Sequence, residues 1–163
     1  MLRVRNVLPR VQQGRCDLLD LPRGRFRNRL SPNLKTTMTI IACIKWVLPN
    51  RDGDERFAGI SLADQAALET ALSIAEVFGD DVTVVAAGPS TADTSLRDAI
   101  ACGAHDAMRI DVSTNTESAE VARLIASVAK GARLVVCGDY SSDRGSGSVP
   151  ALIAAELGLG QAL

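Results

Sequence analysis

Leu134-Val135-Val136-Cys137-Gly138-Asp139-Tyr140-Ser141-Ser142-Asp143-Arg144-Gly145-Ser146-Gly147-Ser148-Val149-Pro150 is the stretch from which the chain is read. Its first four residues form an apolar run of strand-forming types. Val149 to Leu157 is an apolar-periodic run that reads as a helix with Pro150 near its first turn. Between the two lie small and polar residues. A strand that feeds a helix through such a loop lets backbone N–H groups approach an anion, adds hydroxyl donors and presents a helix N-terminus. A loop of the same composition also serves simply as a connection. Neither a GxGxxG dinucleotide pattern nor a GxxxxGK(S/T) phosphate loop occurs, so its meaning depends on what surrounds it.

Upstream, strand and helix signals alternate. Thr39 to Val47 is β-rich and almost continuously apolar, as a central parallel strand buried on both faces should be. Pro49 to Asp54 carries loop-breaking chemistry. Ser61 reads as an N-cap with Asp64 three residues on, a capping-box-like pair. Leu62, Ala66, Leu68, Leu72, Ile74, Ala75 and Phe78 follow at helical spacing up to Gly79. The unit then repeats: strand Val82 to Ala87 before Gly88-Pro89, helix Thr91 to Cys102 before Gly103, strand Ala107 to Val112, helix Glu117 to Lys130 before Gly131, strand Arg133 to Cys137. This alternation predicts an α/β fold, a doubly wound open parallel sheet with helices on both faces. In such sheets ligands bind outside the carboxyl ends of the strands. That rule selects Cys43 to Pro49, Ala87-Gly88-Pro89 and Gly138 to Ser148 as the ligand-facing edge.

At 163 residues, with 47% apolar and 23% charged residues, the chain is of single-domain length and ordinary globular composition. With aromatics at only 3%, the core must come from Ala, Val, Leu and Ile. The formal net charge of −1 hides an asymmetry: residues 1–37 hold nine basic residues against two acidic ones, Asp17 and Asp20. Residues 1–37 show no sustained periodicity and read as a disordered basic N-terminal extension, with the nucleotide-binding domain over 38–163. A targeting presequence would be richer in Ser and free of the two acids, and a nucleic-acid arm would carry an aromatic platform or motif. The preferred reading takes Met38 as the natural start. No apolar run reaches the roughly 20 residues of a membrane span.

Side-chain chemistry is sparse. His105, the single histidine, lies in a turn between a helix and a strand and reads as an exposed turn residue rather than a base or ligand. The four cysteines, at 16, 43, 102 and 137, form no CxxC. Cys43 and Cys137 fall in strands as small core residues, which points to a reducing compartment and no structural metal. Asp64, Asp98 and Asp143 have no identifiable nucleophile beside them. A bound nucleotide or cofactor is therefore the chemistry to expect, not a catalytic side-chain set.

Five stretches, in order, resemble the electron transfer flavoprotein beta subunit and its FixA-like relatives. They are Ile40 to Pro49, Ser61 to Ala71, Val82 to Pro89, Leu96 to Asp106, and Cys137 to Asp143 with Gly147 to Pro150. The resemblance spans residues 39 to about 161. It implies a Rossmann-like sheet of the adenine nucleotide alpha hydrolase type, and an electron carrier rather than an enzyme. Such a carrier pairs with an alpha subunit, and the heterodimer's FAD takes electrons from flavin-dependent dehydrogenases toward the respiratory chain. The beta chain's own site holds AMP, or a second FAD in the bifurcating branch. The location implied is the bacterial cytoplasm, or the mitochondrial matrix in a eukaryote, with neither nucleic acid nor membrane as partner.

Carried over by position, the implied cofactor site comprises Cys43; Ser61, Leu62, Ala63 and Asp64; Ala87; and Gly138, Asp139, Tyr140, Ser141, Ser142, Asp143, Arg144, Gly145, Ser146, Gly147, Ser148 and Val149. Ser141, Ser142, Ser146 and the backbone near Gly147 would hold phosphate, and the strand-end backbone at Cys43 and Ala87 would read the adenine edge. Asp143 and Asp64 would contact ribose or orient the loop. The chain departs from the pattern where Ser61-Leu62 replaces Asn-Pro, Asp139 replaces a common Lys or Arg, and Ser146 and Ser148 replace Thr and Gln. Family members continue past the point where this chain ends, so it reads as truncated and is expected to bind nucleotide but dock poorly on an alpha subunit. Two alternatives stay open: a stand-alone universal-stress-like adenine-nucleotide sensor, whose G-x(2)-G-x(9)-G-(S/T) spacing is not met from Gly138, and an adenine-hydrolase enzyme, whose SGGxDS loop does not follow the first strand.

Overall fold

A computed structural model describes residues 38–48, 58–141, 143 and 145–162. The expected extension over 1–37 and the loop Pro49 to Asp54 lie outside the described residues, as do Ser142 and Arg144. Four parallel strands form the central sheet: β1 (Thr39–Ile44), β4 (Asp81–Gly88), β5 (Asp106–Asp111) and β6 (Leu134–Cys137), in the order β5-β4-β1-β6. A separate antiparallel pair joins β2 (Trp46–Val47) to β3 (Gly59–Ile60). The helices are α1 (Leu62–Phe78), α2 (Asp93–Ala101), α3 (Ser118–Val128) and α4 (Ser148–Leu157), with a short 3₁₀ turn over Ser90–Ala92 before α2. Among the described residues no helix is long and apolar enough to cross a membrane, and no cluster of His, Cys, Asp and Glu could hold a metal ion.

Strand side chains alternate between faces, and here both faces are covered. Ile40, Ala42 and Ile44 of β1, with Val82, Val84 and Ala86 of β4, pack on Leu68, Ala71 and Ala75 of α1 and Leu96 and Ala99 of α2. Ile41 and Cys43, with Val85 and Ile110, pack on Ala122 and Ile125 of α3 and Ile153 of α4. That two-sided burial is why the strands read as continuous apolar runs. It also explains the winding. From β1 the chain steps to β4 and β5 with α1 and α2 on one face, then returns through α3 on the other face to set β6 beside β1. The expected doubly wound sheet is the observed one, and its direction reverses between β1 and β6.

Two expectations need correction. The strand expected to run to Val47 stops at Ile44, because the Lys45 N–H donates to the Asp64 carboxylate (3.0 Å) instead of continuing the ladder. Trp46–Val47 then pairs with Gly59–Ile60, a strand too short to leave a period-two signal. In α1, Leu62 (83% exposed), Ala66 and Phe78 face solvent, and the buried stripe is Asp64, Ala67, Leu68, Ala71 and Ala75. Alanines at that stripe bring the helix close to the sheet. His105 does lie in a turn, and its Nδ1 accepts the Val82 N–H (3.2 Å) while Nε2 lies 3.1 Å from Asp81, so it extends the sheet edge.

The helix start of α1 is as expected. Ser61 caps it by accepting the Asp64 N–H (3.1 Å), and Gly79 ends it in the left-handed region at φ 70°. This first turn abuts the end of β6 so closely that a Cβ on Gly138 would lie 2.5 Å from Asp64 Oδ1 and 2.9 Å from two backbone atoms. Gly138→Ala should therefore destabilise the protein by about 1–3 kcal/mol, as overpacking against backbone does. Gly160→Ala, which meets nothing within 4 Å, should leave the urea midpoint nearly unchanged.

Candidate functional site

At the reversal point the loops after β1 and β6 diverge, and a cleft of about 500 Å³ opens there. Its volume falls within the range of small-ligand pockets. Four strand ends supply its walls: Cys43 to Leu48 after β1, Ala87-Gly88-Pro89 after β4, Val112 to Thr116 after β5, and Cys137 to Ser141 after β6. Asp143, Ser146, Gly147 and the first turn of α4 complete it. The three stretches chosen from the sequence as the ligand-facing edge do meet here. The fourth, Ser113-Thr114-Asn115-Thr116, was legible by the same rule, since it is a polar loop at the carboxyl end of a parallel strand.

Asp64 holds the site's geometry. Its Oδ2 accepts from the Lys45 N–H (3.0 Å) and the Ser61 hydroxyl (2.8 Å), and its Oδ1 accepts from the Gly138 N–H (3.2 Å). One carboxylate thus ties the ends of β1 and β6 to the start of α1. It is 7% exposed, and both of its oxygens are engaged by these donors. Burial pushes its pKa up, against the lowering effect of the Ser61, Lys45 and Gly138 hydrogen bonds and the Lys45 charge.

The other expected residues separate into three groups. Cys43, Ala87, Gly138, Asp139, Tyr140, Ser141, Asp143, Ser146, Gly147, Ser148 and Val149 line the cleft with Asp64. Ser61 is buried with its hydroxyl spent on Asp64, Leu62 projects to solvent, and Ala63 and Gly145 lie outside the cleft lining. Ser142 and Arg144 lie outside the described residues. Across the mouth, Lys45 Nζ approaches both oxygens of Asp143 (2.6 and 2.8 Å), joining the end of β1 to the Ser/Gly loop.

The loop ends in a cradle. Gly147 is the N-cap of α4 at φ 57°, and a Cβ there would meet the Asp139 carbonyl oxygen at 2.8 Å. Among the described residues no side chain caps this helix. Its free first-turn N–H groups are those of Ser148 and Val149, since Pro150 has none, and they lie at the helix end beside the Ser146 and Ser148 hydroxyls, which are 3.1 Å apart. The arrangement suits an anion.

On the floor, Cys43 and Cys137 are register partners on neighbouring strands. The neighbouring Cys137 and burial push the Cys43 pKa up, while the neighbouring Cys43 lowers that of Cys137 against burial and the Asp64 charge.

Replacing Asp64 by Asn leaves one acceptor oxygen for three donors and should cost about 1–3 kcal/mol at pH 7. Because the folded pKa of Asp64 is raised, the proton-linked part of its contribution is fully present below the ordinary aspartate value and is lost as pH rises through the raised one, which leaves the hydrogen-bond part at pH 7. Urea titrations of wild type and Asp64→Asn should therefore show the wild type's advantage growing as pH falls through that window. A gap that shrinks there would contradict the assignment.

Residues 54–163 match the electron transfer flavoprotein domain. The chain is 35% identical over 127 residues to the electron transfer flavoprotein subunit beta of Mycobacterium bovis, covering 68% of this chain and 47% of that one. It is 29% identical over 135 residues to the corresponding subunit of Syntrophomonas wolfei, covering 75% and 54%. The chain thus spans about half the length of these curated relatives. A universal stress protein solved in complex with cAMP superposes with a TM-score of 0.45 at 20% identity, over 75% of this chain and 92% of that one. The domain match takes in α1, the β6 end and the whole Ser/Gly loop, and with it the chain belongs to the electron transfer flavoprotein domain family, as a beta-subunit-like member.

Proposed function

We propose that this chain forms the nucleotide-binding part of an electron transfer flavoprotein beta subunit, with AMP in the cleft at the β1/β6 reversal. The observation that carries the reading is the cradle at Gly147: a left-handed N-cap pressed on the Asp139 carbonyl, two hydroxyls, and a helix end that no described side chain caps. A phosphate would accept from Ser146, Ser148 and the first-turn N–H groups of α4, with Ser141 beside them. The adenine edge would meet the backbone that leaves β1 and β4 at Cys43 to Lys45 and Ala87. Asp64 would act at one remove, keeping the β1 and β6 ends at the spacing the base and phosphate require.

In this reading the chain is a carrier and not a catalyst. It would pair with an alpha subunit, and the FAD of the heterodimer would take electrons from a flavin-dependent dehydrogenase and release them toward a respiratory acceptor. The residues of this chain would bind and orient nucleotide and shape the docking face.

Calorimetric titration with AMP tests the site. Gly147→Val fills the cradle and should weaken AMP binding at least about tenfold, or 1.4 kcal/mol, with the far-UV circular dichroism retained. Val77→Ser, on the solvent side of α1, should bind as wild type does. Co-expression with an electron transfer flavoprotein alpha subunit tests the carrier role: a stoichiometric complex with flavin absorbance would support it and contradict the poor docking expected from the sequence. AMP binding without such a complex would instead support the stand-alone nucleotide sensor.

A further inference from the structure

Cys43 and Cys137 do more than fill space at the cleft floor. They sit opposite each other on adjacent parallel strands, so both side chains leave the same face of the sheet. Neighbouring strands lie about 4.8 Å apart, inside the roughly 4.4–6.8 Å Cα separation that a disulfide spans. Both are free thiols, and both line the cleft. They differ in access, since Cys43 is 7% exposed and Cys137 is half-buried. They also differ in chemistry: the neighbouring Cys137 and burial push the Cys43 pKa up, whereas the neighbouring Cys43 lowers that of Cys137 against the raising effects of burial and the Asp64 charge. A packing role alone would call for neither a matched pair nor an opening to solvent.

We propose that Cys43 and Cys137 form a redox-active dithiol on the floor of the cleft, oxidised by a small hydroperoxide to an intramolecular disulfide. The Cys137 thiolate attacks the distal peroxide oxygen, the O–O bond breaks, and hydroxide leaves with a proton as water. This gives the sulfenic acid at Cys137. The Cys43 sulfur then attacks the Cys137 sulfur, the S–O bond breaks, and the Cys43 proton leaves with the hydroxyl as a second water. The two thiols have lost two electrons and two hydrogens, and one peroxide has become two waters. A dithiol reductant restores the pair by exchange and leaves as its own disulfide. The assignment does not depend on AMP occupying the cleft.

The full chain is treated with a small excess of hydrogen peroxide, alkylated under denaturing conditions, digested and mapped by mass spectrometry. The expected product is a linked peptide pair bearing Cys43 and Cys137, released by dithiothreitol. Cys43→Ser should abolish the link and leave Cys137 as a sulfenic acid trapped by dimedone. Cys137→Ser should slow oxidation of Cys43 at least tenfold. Wild-type protein in which both cysteines remain alkylated, or in which Cys137 passes to sulfinic acid while Cys43 stays alkylated, overturns the proposal without recourse to either variant.

Discussion

One buried carboxylate sets the arrangement of this fold. Asp64 takes hydrogen bonds from the backbone where β1 ends, from the backbone where β6 ends, and from the hydroxyl that caps α1. A buried charge is costly unless donors surround it, and three donors surround this one. The raised pKa records the part of the burial cost that those bonds leave uncompensated. In return, the carboxylate ends the first strand at Ile44, turns Lys45 toward the cleft mouth and fixes how near α1 lies to Gly138. The closeness at Gly138, where no Cβ fits, belongs to the same contact.

The cleft follows from that constraint together with the direction of winding. Because β6 returns beside β1 on the side away from β4, the two loops leaving their ends part, and among the described residues no helix fills the gap. The far end of the sheet is closed by different means. There the Asp80 carboxylate accepts from the Met38 N–H and lies 2.9 Å from Arg133 Nε, while the Arg133 guanidinium stacks over Phe78. One end is clamped by charge and aromatic packing. The other is held open by a single carboxylate and lined with small residues, which is where a ligand can approach backbone.

Much of this was legible in the sequence. Two-sided burial writes itself as a continuous apolar run, so Val82 to Ala87 was readable as a strand, whereas Leu134 to Cys137 was readable from its strand-forming residue types, being an edge strand with Leu134 exposed and the rest half-buried rather than a buried one. Ser61 and Gly79 marked the limits of α1 through capping chemistry that acts within one turn. What local signals missed depends on contacts far along the chain. The break at Lys45 is made by a carboxylate 19 residues later, and hydrophobicity continues straight through it. The buried stripe of α1 follows Asp64, Ala67, Ala71 and Ala75 because Asp64 must face the strand ends, although Leu62 and Phe78 are the more apolar residues. The role expected for Ser61 at the cofactor met the same limit: its hydroxyl was already committed to Asp64, which only the folded contact reveals.

The central claim is that an adenine nucleotide sits at the β1/β6 reversal, between the strand ends that Asp64 ties together and the cradle at Gly147. The most direct measurement is an amide-resonance titration of the isotope-labelled protein with AMP. The account predicts saturable shifts concentrated at Lys45 to Leu48, Ala87-Gly88, Ser113 to Thr116 and Gly138 to Val149, with α2 and the outer face of α1 silent. An absence of shifts at millimolar AMP, or shifts gathered away from these strand ends, would contradict it.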